Sequence, residues 1–295
     1  MEMMGMLTAP SGKTPAPDRL WDGKEAVLSP LTEEEFGRIR ALIHSIAGIS
    51  LSPNKHDLVY SRLARRLRTR RLTSFTDYIG ILESGNNLER EAFINALTTN
   101  MTSFFREAHH FPILARHLGS IKFNRPITIW TCASSTGEEP YSLAITAIEQ
   151  FNSFNAPVRI LATDIDTNVL KRARKGIYPL EQLQMLSSKR MKRFFLRGRG
   201  ENDGFAKVKP ELQRMITFRQ LNLLSTDWGL SERFDAIFCR NVMIYFDKMT
   251  QQRVLTNLAR YLNPHGLFFA GHSESFHHAT DLFRLCGKTV YALRS

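Results

Sequence analysis

The chain has 295 residues, 43% of them hydrophobic and 23% charged, which suits a soluble globular protein large enough for two domains. No apolar run reaches the ~18 residues of a membrane span. Cys132, Cys239 and Cys286 are odd in number and far apart, which argues against a disulfide framework or a bound metal and fits a cytoplasmic setting. A net charge of +12 points to an anionic partner (nucleic acid, an anionic membrane or an acidic protein surface) without choosing among them.

Residues 1–29 are rich in Pro, Gly, Met and Thr without periodicity and read as a flexible tail, with no signal-peptide pattern. Thr32 with Glu35 three positions on is a capping box, and Phe36, Ile39, Ile43 and Ile46 follow at helical spacing until Gly48. A second helix spans about 52–70, with Val59, Leu63 and Leu67 on one face. Shorter helices near 74–84 and 88–97 complete a small all-α domain over about 30–100.

From residue 127 strands and helices alternate. Strand-like runs lie at 127–132, 158–163, 215–221, 235–239, 267–270 and 289–293, and helices at 138–151, 168–176 and 250–262. This pattern predicts a Rossmann-like, doubly wound α/β domain over 101–295 with a mostly parallel sheet. A helical piece (183–195), a glycine-spaced turn and an alternating run interrupt it at about 178–214, which suggests an inserted small antiparallel β-subdomain. Cys132 and Cys239 each end a strand-like run and read as small buried thiols.

In such sheets ligands bind at the carboxyl ends of the strands. Three places fit. The run Thr131-Cys-Ala-Ser-Ser-Thr-Gly-Glu-Glu-Pro140 lacks the glycine pattern of dinucleotide binders and carries two acids at a helix start. It suits a cationic or uncharged ligand, or else it is a capped helix start, with Thr136 as cap and Glu138 and Glu139 favoured by the macrodipole. Asp164 ends the second strand, placed to accept the ribose hydroxyls of a nucleoside cofactor; the alternative is a helix cap, a job that Asp166 suits better. The third is Arg240-Asn241-Val-Met-Ile-Tyr245 after another strand, where amino-methylating enzymes carry Asn-Pro-Pro-Tyr. An arginine there suits an anionic nucleophile better than an amine.

Phe93-Ile-Asn-Ala-Leu-Thr-Thr-Asn-Met-Thr-Ser-Phe-Phe-Arg-Glu107, Ala133-Ser-Ser-Thr-Gly-Glu-Glu-Pro-Tyr-Ser142, Phe238-Cys-Arg-Asn-Val-Met-Ile-Tyr-Phe246 and Gly271-His-Ser-Glu-Ser275 together resemble the chemotaxis receptor glutamate methyltransferases, the CheR family. The likeness runs from about residue 30 to the C-terminus. It implies a methyl group passed from S-adenosyl-L-methionine to glutamate carboxylates of methyl-accepting chemotaxis receptors, with S-adenosyl-L-homocysteine as product. It implies cofactor contacts at Asn100, Thr102, Arg106, Glu139, Asp164, Asn222, Leu223, Arg240 and Asn241. Arg106, Arg240 and Tyr245 are the expected catalytic residues, either arginine holding a carboxylate of acceptor or cofactor. A glutamate, with pKa ~4.3, is already a nucleophile at neutral pH, so no general base is needed.

Lys55, Arg62, Arg65, Arg66, Arg68, Arg70 and Arg71 face one acid, Asp57, in a single stretch, and Arg62, Arg65 and Arg66 share a helix face. The stretch reads as a solvated face, or as a site for nucleic acid or membrane headgroups. The resemblance implies docking of Lys55, Arg62, Arg65 and Arg66 on acidic receptor helices, without nucleic acid or membrane insertion. In the insertion, Gly198, Gly200 and Gly204 mark a plain hairpin turn or, as in family members that grip a receptor tail, a tethering loop beside an exposed strand edge. The rival readings are a non-catalytic signalling module and a methyltransferase for another protein or nucleic acid.

Overall fold

The computed structural model describes residues 28–122, 125–276 and 281–294; nearly all of the expected tail lies outside them. Helix α1 (Glu33–Ala47) starts with the capping box: Thr32 Oγ1 accepts from the Glu35 amide at 3.2 Å, and Glu35 Oε2 accepts from the Thr32 amide at 2.9 Å. Gly48 closes it at φ 70°, and a side chain there would press on Leu224 and Phe246. Residues 52–70 are not one helix. Pro53 opens a 3-10 turn, Pro53–Lys55, and α2 (His56–Arg70) follows. Ser74 and Asn86 cap α3 (Phe75–Glu83) and α4 (Asn87–Leu97). Val59, Leu63 and Leu67 pack with Phe36, Ile39, Ile43, Phe75, Tyr78 and Phe93 into one core. Glu89 is buried against it, taking three hydrogen bonds from Arg66 (2.8–3.0 Å) and one from the Tyr78 hydroxyl (3.0 Å).

A helix that the pattern reading passed over, α5 (His110–Ser120), leads into the α/β domain; Phe111, Leu114 and Leu118 form its buried face. The domain comprises β1 (Ile127–Thr131), α6 (Glu138–Phe151), β2 (Val158–Asp164) and α7 (Thr167–Lys175), then β6 (Ile216–Gln220), β7 (Phe234–Cys239), α10 (Lys248–Tyr261), β8 (Leu262–Ala270), β9 (Phe283–Gly287) and β10 (Val290–Leu293). Between α7 and β6 lie β3 (Ile177–Pro179), α8 (Ser188–Phe194), β4 (Phe195–Arg197), β5 (Phe205–Val208) and α9 (Pro210–Gln213). The seven-stranded order is β6-β2-β1-β7-β8-β10-β9; the first five strands are parallel, and β10 runs antiparallel to both its neighbours. The chain winds outward from β1 through β2 to β6, then returns to β7 on β1's other side. The switch point therefore lies between the carboxyl ends of β1 and β7.

The insertion forms a three-stranded antiparallel sheet, β3-β5-β4. Tyr178, Phe195, Ala206 and Val208 point into the core, leaving Ile177, Leu196 and Phe205 exposed on the outer face. Its helical piece is shorter than the pattern suggested, because Ser187 caps α8. The three glycines serve the turn. Gly200 and Gly204 have φ of 60° and 83°, and a side chain at Gly198 would collide with the Asn202 carbonyl.

Candidate active site

A cleft of about 620 Å³ opens at the switch point, between the α/β sheet and the helical domain. Its lining brings together Lys55, Arg62, Asn100, Thr102, Arg106, Glu139, Asp164, Asn222, Leu223, Arg240, Asn241 and Tyr245. Arg65, Arg66 and the glycines of the insertion lie away from it. Arg65 and Arg66 instead line a groove between α2, α4 and α7, together with Lys171 and Arg172.

Asp164 ends β2 and is buried. Its carboxylate accepts from the Ser135 amide at 2.8 Å and the Asp166 amide at 2.9 Å. Burial pushes its pKa up to about 6 against the pull of those amides. Asp166 is the helix cap, accepting from Asn168 and Val169, and it also takes the Asn100 side-chain amide at 2.8 Å. Thr136 does not cap α6. Gly137 does, at φ 102°, while the Thr136 hydroxyl donates to Glu138 at 2.7 Å. Nor is Glu139 simply an acid favoured by the helix dipole: it accepts from Thr131 Oγ1 at 2.7 Å and Arg240 Nε at 2.6 Å.

Arg240 follows β7 and turns inward, with its side chain 2% exposed. Besides Glu139 it donates to the Arg106 carbonyl (2.7 Å) and to His110 Nδ1 (3.0 Å), and it lies 3.5 Å from Glu107. A guanidinium only donates, so His110 Nδ1 accepts and Nε2 carries the proton toward Thr289 Oγ1, 3.0 Å away. Burial and the Arg240 charge press His110 down to about 4, which keeps it neutral. The Glu107 side chain is also covered, 7% exposed. Burial alone would raise its pKa, but hydrogen bonds from the His272 side chain and amide, the Arg240 charge and the Asn241 amide hold it at about 2. Glu107, His109 and His110 bring one ligand atom each within 4.8 Å of one another, yet the Arg240 charge beside them opposes a cation.

Arg240 thus holds the protein's own carboxylates, which leaves Arg106 as the arginine facing the cleft. Arg106 is half-buried; its Nη1 donates to the Met101 carbonyl at 2.9 Å, and among the described residues it has no acidic partner. The Asn222 amide is also engaged, donating to the Ile46 carbonyl at 2.7 Å and accepting from the Leu224 amide at 2.9 Å. It ties the helical domain to the cleft wall, whereas Leu223 joins Ile165 and Leu221 as an apolar wall. On α2, Arg62 donates to the Leu97 and Thr98 carbonyls (2.8 and 2.9 Å) and Arg66 pairs with Glu89, while Arg65 stays exposed, as does Lys55 on the 3-10 turn before it.

These residues fit a nucleoside with a cationic arm. An acid stands at the end of β2 beside an apolar wall, and a second acid, Glu139, lines the same cleft. Among the described residues Arg240 is the single buried lysine or arginine, against Glu107, Glu139 and Asp164. Glu107, His110 and Glu274 belong to the site's framework but drew no role from the sequence. Glu107 and Glu274 lie within quoted motifs; nothing local marks His110.

Residues 100–292 match the family described as "CheR methyltransferase, SAM binding domain", and residues 34–98 match "CheR methyltransferase, all-alpha domain". The chain is 54% identical over 262 residues to "Chemotaxis protein methyltransferase 2" of Pseudomonas aeruginosa, covering 88% of this chain and 93% of that protein. It is 51% identical over 265 residues to "Chemotaxis protein methyltransferase" of Klebsiella aerogenes (90% and 91% covered) and 48% identical over 264 residues to that of Escherichia coli (89% and 92%).

Proposed function

The chain belongs to the CheR methyltransferase family, and from that premise we propose that it methylates glutamate side-chain carboxylates of bacterial chemoreceptors. Its cofactor is S-adenosylmethionine. When bound, that cofactor supplies a methyl group on an electrophilic sulfonium. The observation that carries the substrate reading is Arg106: a cleft-lining guanidinium held at one nitrogen by the Met101 carbonyl, with its other N–H groups open to a carboxylate. Fixing an acceptor already ionised at neutral pH is the main task, and orientation is what these residues offer. Glu139, held by Thr131 and Arg240, and Asp164, held by two amides, would meet the cofactor's ammonium and ribose. Tyr245, carried on a 3-10 turn whose Tyr245 carbonyl accepts from the Ser50 amide, closes the acceptor side.

Receptor docking is read onto exposed Lys55 and Arg65 and onto the groove where Lys171 and Arg172 of α7 extend the positive surface. The free edge of β4 beside Leu196 and Phe205 suits a tethering peptide added as a further strand. No helix of the described residues is long and apolar enough to cross a membrane. The proposed place of action is the cytoplasm, at the receptors' acidic methylation helices.

The test is incubation with radiolabelled S-adenosylmethionine and receptor-bearing membranes. Base-labile label released as methanol identifies a carboxyl methyl ester. Base-stable label would make the chain an N-methyltransferase, and no incorporation despite cofactor binding would make it a signalling module. Salt titrations against a receptor cytoplasmic fragment and duplex DNA test the basic face; equal affinity for both sinks the receptor reading. A fluorescent receptor-tail peptide that fails to bind at high micromolar concentration removes the tether.

A further inference from the structure

We infer that Glu274 is the positioning residue that shapes the reactive turn after β7. Its carboxylate is buried and collects four main-chain N–H groups from two loops. Oε2 accepts from Gly271 at 2.6 Å and Asn241 at 3.0 Å; Oε1 accepts from Val242 at 2.9 Å and Met243 at 2.8 Å. Three successive amides converging on one anion form a backbone nest, and this one opens with Asn241 at φ 58°, a left-handed conformation that a non-glycine residue adopts at a cost. Four N–H donors aimed at two oxygens supply the compensation; they counter the burial that leaves the Glu274 carboxyl above its ordinary pKa.

The clamp has direct consequences for the cleft. It fixes Arg240 at the turn's start and Asn241 with its amide 3.3 Å from Glu107. It also sets the 3-10 turn Met243–Tyr245 that carries Tyr245 into the cleft wall. Gly271 is required by the same arrangement, because a side chain there would collide with the Asn241 amide and lie 2.8 Å from Glu274 Oε2. Glu274 is not among the residues that line the cleft. It acts through the turn, which substrate and cofactor must both meet.

The inference rests on reading this cleft as the transfer site but not on the identity of the acceptor. Glu274→Gln keeps the shape, replaces one acceptor oxygen by an NH2 that faces two donors, and removes the charge. Glu274→Asp keeps the charge with a shorter reach. On full-length protein, Glu274→Gln is expected to bind S-adenosylhomocysteine more weakly by calorimetry. It is also expected to lose about 10²-fold in turnover per folded molecule, the scale of a misplaced site, with Glu274→Asp recovering part of both. A merely structural role would lower the binding stoichiometry and leave affinity and turnover per folded molecule within about twofold of wild type; that result, or Glu274→Asp no better than Glu274→Gln, overturns the inference.

Amide exchange in the wild-type protein supplies the second measurement and holds even if Glu274→Gln does not fold. Among the described residues Glu274 is the acceptor for the Val242 and Met243 amides, so both exchange slowly if the clamp exists. Fast exchange at both overturns it. Should receptor membranes prove to be no substrate, S-adenosylhomocysteine binding and exchange still report on Glu274, so the two readings fail separately.

Discussion

Arg240→Met tests the charge network beneath the cleft. Methionine matches the aliphatic stem of arginine but leaves Glu139 and Glu107 buried without their shared cation, and it removes the bonds to the Arg106 carbonyl and His110. Removing one partner of a buried ion pair costs about 3–5 kcal/mol, because a charge stays behind uncompensated. At about 2–4 °C per kcal/mol for a chain of this size, the melting midpoint at neutral pH should fall by roughly 6–20 °C in scanning calorimetry.

The deficit should also depend on pH. The Glu107 carboxyl is held at about 2 in the folded protein against an ordinary 4.5. A depressed carboxylate contributes stability that is present above the ordinary value and lost as pH falls toward the folded one. Part of that contribution belongs to Arg240, so the gap between wild type and Arg240→Met should narrow as pH falls through about 4.5 toward 2. A midpoint lowered by less than about 2 °C, or a gap that does not change with pH, would falsify the network argument.

Three further predictions follow from the same geometry. Arg106→Ala should fold normally, since it gives up one hydrogen bond to Met101, yet lose about 10²-fold in turnover; unchanged turnover together with unchanged S-adenosylhomocysteine affinity would remove Arg106 from the reaction. Asp164 titrates at about 6 in the folded protein, above its ordinary 3.8, so its contribution to stability is fully present below 3.8 and lost as pH rises through 6. A ribose needs the ionised form, so calorimetric affinity for S-adenosylhomocysteine should weaken as pH drops below about 6, and Asp164→Asn should abolish that dependence. Arg66→Ala leaves the buried Glu89 carboxylate with the Tyr78 hydroxyl and with Arg70 at 3.4 Å, and should cost about 2 kcal/mol in urea unfolding, whereas exposed Arg65→Ala should stay within about 0.5 kcal/mol; equal effects would contradict the pairing. Receptor docking is therefore better tested at Arg65 and Lys55 than at Arg66.

Much of the fold is local in origin and could be read along the chain. The Thr32–Glu35 capping box, the Val59/Leu63/Leu67 stripe and the strand–helix alternation from residue 127 each arise from interactions a few residues apart. Helix α5 escaped because its apolar positions, Phe111, Leu114 and Leu118, come without a capping residue at His109. Strand β9 escaped because it pairs on one side and is largely exposed, so its pattern carries little apolar signal.

The cleft residues were legible as a set, through strand ends and through likeness to a family, since backbone topology delivers the ends of β1, β2 and β7 to one place. Their individual duties were not. That Arg240 serves Glu139 depends on a contact across 101 residues, that Asn222 serves Ile46 on one across 176, and that Glu274 clamps the 241–243 turn on one across 31–33. Sequence by itself determined which residue types stand at which strand ends, because periodicity and capping are short-range. Tertiary structure alone decided which of two arginines keeps its guanidinium open to the cleft, because a donor's freedom depends on the acceptors that distant segments bring to it.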